Sequence, residues 1–122
     1  MITFVVQGET PAKKNANKFN SRTRCVYKDR HYKEWYEGAV IQIMSQKARQ
    51  QMLQPPVKIT LTFVHGDLRT RDADNGTTSI FDLLKDCGVI PDDNWKIVRK
   101  HVVESSYEKN NAHCIVEIEP YE

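Results

Sequence analysis

Residues 57–63 read Val-Lys-Ile-Thr-Leu-Thr-Phe, with an apolar side chain at every second position and a polar one between. Side chains alternate across a strand, so this segment is a strand with one buried face and one wet face. A half-buried strand cannot stand alone: it needs strand neighbours and something apolar laid over its dry face. The chain supplies both. Ile2, Phe4 and Val6 alternate through residues 2–7, and Cys114, Val116 and Ile118 alternate near the other end. From about Tyr32 to Met52 the pattern is helical, with Tyr36, Val40 and Ile43 at four- and three-residue spacing, flanked by Trp35, Ala39 and Met44. Trp35 and Tyr36 read as core residues of this helix, and Pro55-Pro56 ends it. A second helix is expected from about Asn75 to Cys87, with Ile80, Leu83, Leu84 and Cys87 as its apolar face, Asp74 as a possible N-cap and Gly88 at the C′ stop. Trp95 to Glu104 reads as strand, and Asn110-Asn111 as the turn before the last one. The order is β-α-β-α-β-β, an α/β (α+β) fold with one four-stranded sheet and both helices packed on one face. A chain of 122 residues fits one domain, 1–122.

Composition narrows the class. Hydrophobic residues make up 39% and charged residues 28%, enough for a core and too apolar for a disordered tail. The longest apolar runs are a few residues, so no membrane span is expected. The N-terminal MITFVVQGET lacks the basic flank and small-residue cleavage site of a signal peptide. Three widely spaced cysteines, Cys25, Cys87 and Cys114, argue against a disulfide framework and point to a reducing cytoplasm. Charge is unevenly spread: residues 1–50 carry a net +6 and residues 51–122 a net −4. Residues 12–30 form a long polar loop without periodicity, and Lys13, Lys14, Lys18, Arg22, Arg24, Lys28, Arg30 and Lys33 meet Asp29 alone. Such a run is either a solvated loop or a contact for a polyanion, since clustered Lys and Arg release counterions from phosphates.

The residues that carry chemistry are Asp72-Ala73-Asp74-Asn75 and Asp92-Asp93. The first pair stands where a strand exit meets a helix start; the second follows that helix, about 20 residues on. A helix of about 13 residues is about 20 Å long, so the second pair must be carried back for all to converge, within one subunit or from a second one. Converging carboxylates repel one another and either hold a proton or bind a cation. Oxygen-only ligands select hard ions, and Mg²⁺ takes one or two carboxylates plus waters and phosphate oxygens. Such a metal activates water and stabilises the leaving oxygen of a phosphodiester. Arg69 and Arg71 flank the acids, either to dock a phosphate or as ion-pair partners of Asp67, Asp72 or Asp74. His31, His65, His101 and His113 show no zinc-ligand spacing, although His65 lies near the acids and is a candidate general acid. No phosphate-cradling glycine motif occurs, and Cys87 and Cys114 sit at apolar positions rather than as nucleophiles.

The stretch Arg71-Asp72-Ala73-Asp74-Asn75, then Phe81-Asp82-Leu83-Leu84, then Gly88-Val89-Ile90-Pro91-Asp92-Asp93, resembles the RusA family of Holliday junction resolvases, common in phages and prophages. The first strand followed by Gly8 and Pro11-Ala12-Lys13-Lys14 is similar to that family's opening. The resemblance implies a mixed sheet with two helices. It also implies a Mg²⁺-dependent endonuclease that cuts four-way DNA junctions as a homodimer in recombination and repair. Asp72, Asp74 and Asp93 fall on the family's catalytic, metal-binding acids, and Arg71 on its basic DNA contact; Asp92 is a neighbour without an assigned role. Phosphates would be gripped by Lys13, Lys14, Lys18, Arg69 and Arg71. One position departs from the family pattern: Thr78 stands where a lysine is usual, four residues after the second acid. Weakened activity, lost activity and a substitute lysine all remain open. Lys85, two turns away, points awkwardly, which favours Lys13 or Lys14. The rival readings are a resolvase-derived protein that grips branched DNA without cutting it, and an interaction protein whose acids are only caps and loop charges.

Overall fold

The computed structural model describes residues 1–12, 17–20, 25–28 and 30–122, the two short inner stretches by their backbone alone. The three alternating segments form strands: β1 (Ile2–Gln7), β4 (Val57–His65) and β6 (His113–Pro120). With β5 (Val98–Tyr107) they make a four-stranded sheet in the order β1-β6-β4-β5. The sheet is mixed, since β6 runs antiparallel to both its neighbours while β4 and β5 are parallel. Parallel neighbours require a crossover, and α2 (Thr77–Asp86) supplies it.

Register aligns the alternation into rows. Phe4 pairs with Val116, Val116 with Leu61, and Leu61 with Val103. The buried strand residues other than Val64 therefore share one face, where they join Ala39 and Ile43 of α1 (Arg30–Lys47) and Ile80, Leu83 and Leu84 of α2 in a single core. Trp35 and Tyr36 are half-buried against that core. Cys87 and Cys114 are free and buried, and burial pushes the Cys114 thiol up to about 12. No helix is long and apolar enough to cross a membrane among the described residues.

Four boundaries differ from the sequence reading. The 12–30 stretch contains a small hairpin, β2 (Asn17–Asn20) paired antiparallel with β3 (Cys25–Lys28), which four-residue strands without apolar alternation do not announce. Helix α1 ends at Lys47, not near Met52: Arg49 and Gln50 donate to the carbonyls three residues back, which tightens and closes the last turn. Strand β5 starts at Val98, because the amides of Ile97 and Val98 both donate to the Asn94 carbonyl and wind residues 94–97 into a turn. Asp74 is not the cap of α2; Gly76 is, without a side-chain bond. A Cβ on Gly76 would lie 2.8 Å from both Phe63 and Thr10, so only glycine lets the helix start this close to β4. Gly88, at φ +72°, ends α2 as its spacing predicts.

The outer edge of β1 is closed by side chains. Gln42, Gln46 and Gln50 of the α1 segment accept hydrogen bonds from the amides of Gln7, Val5 and Thr3 at 2.7, 2.8 and 3.1 Å. Gln46 and Gln50 also donate back to the carbonyls of Val5 and Thr3. Four helical residues rise about 6.0 Å and two strand residues about 6.8 Å, so the two ladders stay in step over three rungs. That leaves β5 as the open edge among the described residues.

Candidate functional site

Two loops carry the acids. The first leaves the end of β4 and runs to α2. Within it Asp67 folds back: its carboxylate accepts from the Arg69 amide at 2.9 Å and from both terminal nitrogens of Arg71 at 2.9 and 3.2 Å. Those bonds, chiefly the one from Arg71, hold Asp67 down to about 2. Arg71 also reaches Glu9 at 3.1 Å, and Glu9 meets the Nδ1 of His65 at 2.9 Å. An ionised carboxylate only accepts, so in this bond Nδ1 carries the proton and Nε2 is the ring's remaining site. The charge of Arg71 is thus engaged by Asp67 and Glu9, the ion-pair option weighed from the sequence. Arg69, by contrast, is exposed. Asp72 and Asp74 follow immediately and are both exposed.

Residues 8–12 are stitched to the same place. The Gly8 amide donates to the Ala112 carbonyl, Thr10 packs on Gly76, and Ser79 Oγ, fully buried, donates to the Pro11 carbonyl at 2.6 Å. The basic stretch therefore leaves from beside the start of α2. Lys13 and Lys14 themselves lie outside the described residues, and for Lys18 only the backbone is described.

The second loop follows α2. The Asp92 carboxylate accepts from the Asp93 amide at 2.8 Å and from the Asn94 side chain at 3.1 Å, and the Asn94 carbonyl oxygen accepts from the Lys96 amide. The bond from the Asp93 amide leads in drawing Asp92 below the ordinary carboxylate range. Asp92 thus shapes the turn. Asp93 Oδ1 lies 3.8 Å from Lys85 Nζ, which also stands 3.9 Å from Asp82 and from Asp92. Lys85 is therefore aimed at the second acidic pair rather than awkwardly away. Thr78, Asp82 and Lys85 follow one another at four- and three-residue spacing, which places them on one helix face, and Thr78 is exposed. Lys85 thus ties the second pair to the last turn of α2.

All these donors are carboxylate oxygens, the chemistry that suits a hard divalent ion. Among the described residues of one chain, no three His, Cys, Asp or Glu side chains are gathered to hold one. Asp72 and Asp74 stand on one loop, and Asp93 stands with Lys85 on the other.

Glu9 and Lys85 were not legible as parts of the site. Glu9 is 56 residues from His65, and nothing local marks it. Lys85 could have been found by extending the helix face from Thr78 to the following acidic turn.

A mixed sheet with a helical crossover thus carries two acidic loops and the root of a basic segment. The family model for endodeoxyribonuclease RusA matches residues 9–119, and the chain belongs to that family of DNA-cutting enzymes. No curated protein matches it.

Proposed function

We propose that this protein is a Mg²⁺-dependent endonuclease that resolves four-way DNA junctions by paired nicks. Family membership over residues 9–119 carries this reading, and the exposed Asp72 and Asp74 at the root of the basic segment support it. Asp72 and Asp74 would hold the metal from one loop and Asp93 from the other, within a chain or across two. When bound, the ion supplies positive charge to the scissile phosphate and a more acidic water. The other residues bind and orient. Lys13, Lys14 and Lys18 grip backbone phosphates, and Arg69 is free to add a contact. Arg71 serves first as a brace: its pairs to Asp67 and Glu9 set the loop from which Asp72 and Asp74 project. A four-way junction offers equivalent strands, and a homodimer with two-fold symmetry would offer equivalent sites.

The rival is a protein that binds branched DNA without cutting it. Thr78 favours it, because that turn of α2 presents no cation, and so does Lys85, which already partners Asp93. Nicking of a synthetic four-way junction with and without Mg²⁺, beside a binding measurement on the same DNA, separates the two. Binding with no metal-dependent nick supports the rival.

A further inference from the structure

The turn that presents Asp93 continues into an aromatic and basic surface. Trp95 is 67% exposed, an unusual state for so large an aromatic surface, and it stands two residues after Asp93. The Arg99 guanidinium lies 5.8 Å from the Trp95 ring centre and 5.4 Å from that of Tyr121, which is itself 39% exposed. Lys96 Nζ lies 5.8 Å from the same indole. Neither Lys96 nor Arg99 forms an ion pair with a described residue, and both are exposed. The turn is held in shape by the bonds among Asp92, Asp93, Asn94 and Lys96, which fixes where the indole is displayed.

We infer that Trp95, with Arg99, Lys96 and Tyr121, is a stacking platform for an unpaired or end-exposed base at the branch point of DNA, with the two cations on its flanking phosphates. This rests on the nuclease reading above and names what its second loop recognises. Every base has a π-face that an indole can cover, and cations beside the ring serve the backbone. Within a continuous duplex both faces of each base are already stacked, so the platform has nothing to bind there; at a branch the stack is interrupted. A protein partner would have to bury two cations that no described acid pairs, which is costly without matching acids of its own. A polyanion supplies them in every nucleotide.

The test is equilibrium binding in EDTA, so that nothing is cut. Wild type, Trp95→Ala, Trp95→Phe and Arg99→Gln are each measured on a four-way junction and on a linear duplex of the same length, with the oligomeric state followed by sedimentation. Trp95→Ala should weaken junction binding by about tenfold and leave duplex binding within about twofold, since stacking on one aromatic is worth that much to an accessible base. Trp95→Phe should keep most of the affinity, and Arg99→Gln should weaken both substrates. Equal junction binding by wild type and Trp95→Ala overturns the platform while leaving the nuclease reading intact. So does an equal loss on both DNAs. A change of oligomeric state in Trp95→Ala makes the surface a protein interface and overturns it too. A wild type that does not prefer the junction overturns platform and junction reading together.

Discussion

The two acidic loops use their cations in opposite ways. In the loop after β4, Arg71 sits between Asp67 and Glu9 and its charge is consumed inside the protein. Past α2, Lys96 in the loop and Arg99 at the start of β5 lean on Trp95 with no acid opposite them among the described residues. The acids divide likewise. Asp67 and Asp92 each accept a backbone amide close in sequence and so shape loops that also carry Asp72 and Asp74, both exposed, and Asp93, beside Lys85. A charge near a site in sequence is therefore not yet a member of it: Asp67 and Asp92 are engaged in building the loops themselves.

The largest effect should separate Asp93 from Asp92. Asp93→Asn should abolish junction cutting while preserving binding, as should Asp72→Asn and Asp74→Asn. Asp92→Asn should retain cutting, because an amide oxygen can still accept the Asp93 amide. Single-turnover cleavage checks this, and equal loss in both variants would erase the distinction between shaper and presented acid.

Next in size is Thr78→Lys, which sets a cation on the helix face shared with Asp82 and Lys85. If the site lacks a cation for the phosphate, one charge-assisted bond should raise the cutting rate by about ten- to hundredfold. If Lys13, Lys14 or Lys85 already serves, the gain should appear only when that lysine is also removed. Single-turnover rates of the single and double variants decide between these outcomes.

Gly76→Ala tests the foundation of the first loop. Its methyl would meet Phe63 and Thr10, and overpacking of this kind costs about 1–3 kcal/mol. Denaturant unfolding should show that loss. An unchanged midpoint would mean that the close approach of α2 to β4 is not needed to place Asp72 and Asp74.

The smallest effect compares the two arginines. Arg69→Gln should reduce the slope of log affinity against log salt by about 0.9, one phosphate contact on duplex DNA. Arg71→Gln should leave that slope unchanged and lower stability slightly instead. A slope change for Arg71→Gln would show that its pairs to Asp67 and Glu9 open when DNA binds.

Much of the frame is written locally. The alternation of Val57, Ile59, Leu61 and Phe63, and of the two flanking strands, fixes the buried face because a one-residue slip would turn every apolar side chain to water. Gly88 marks its stop because few other residues reach positive φ. The acids were legible as a pattern joined to a family resemblance. What the sequence concealed depends on partners far along the chain or on bonds within a turn. The pair of strands β2 and β3 is defined by cross-strand pairing, the role of Glu9 by His65 and Arg71, and the start of β5 by the Asn94 carbonyl. The glutamine ladder on β1 does carry a signal, three Gln at four-residue spacing, but its meaning appears only when the strand beside it is known.

The most direct test of the account is strand cleavage of a synthetic four-way junction over a Mg²⁺ titration, with wild type and Asp74→Asn side by side at matched DNA occupancy. Wild type should introduce symmetric nicks whose rate saturates with metal, and Asp74→Asn should bind the same junction and leave it whole. Tight junction binding by wild type with no nick at any metal concentration would contradict a metal-dependent resolvase, and equal cutting by both proteins would contradict the carboxylate site.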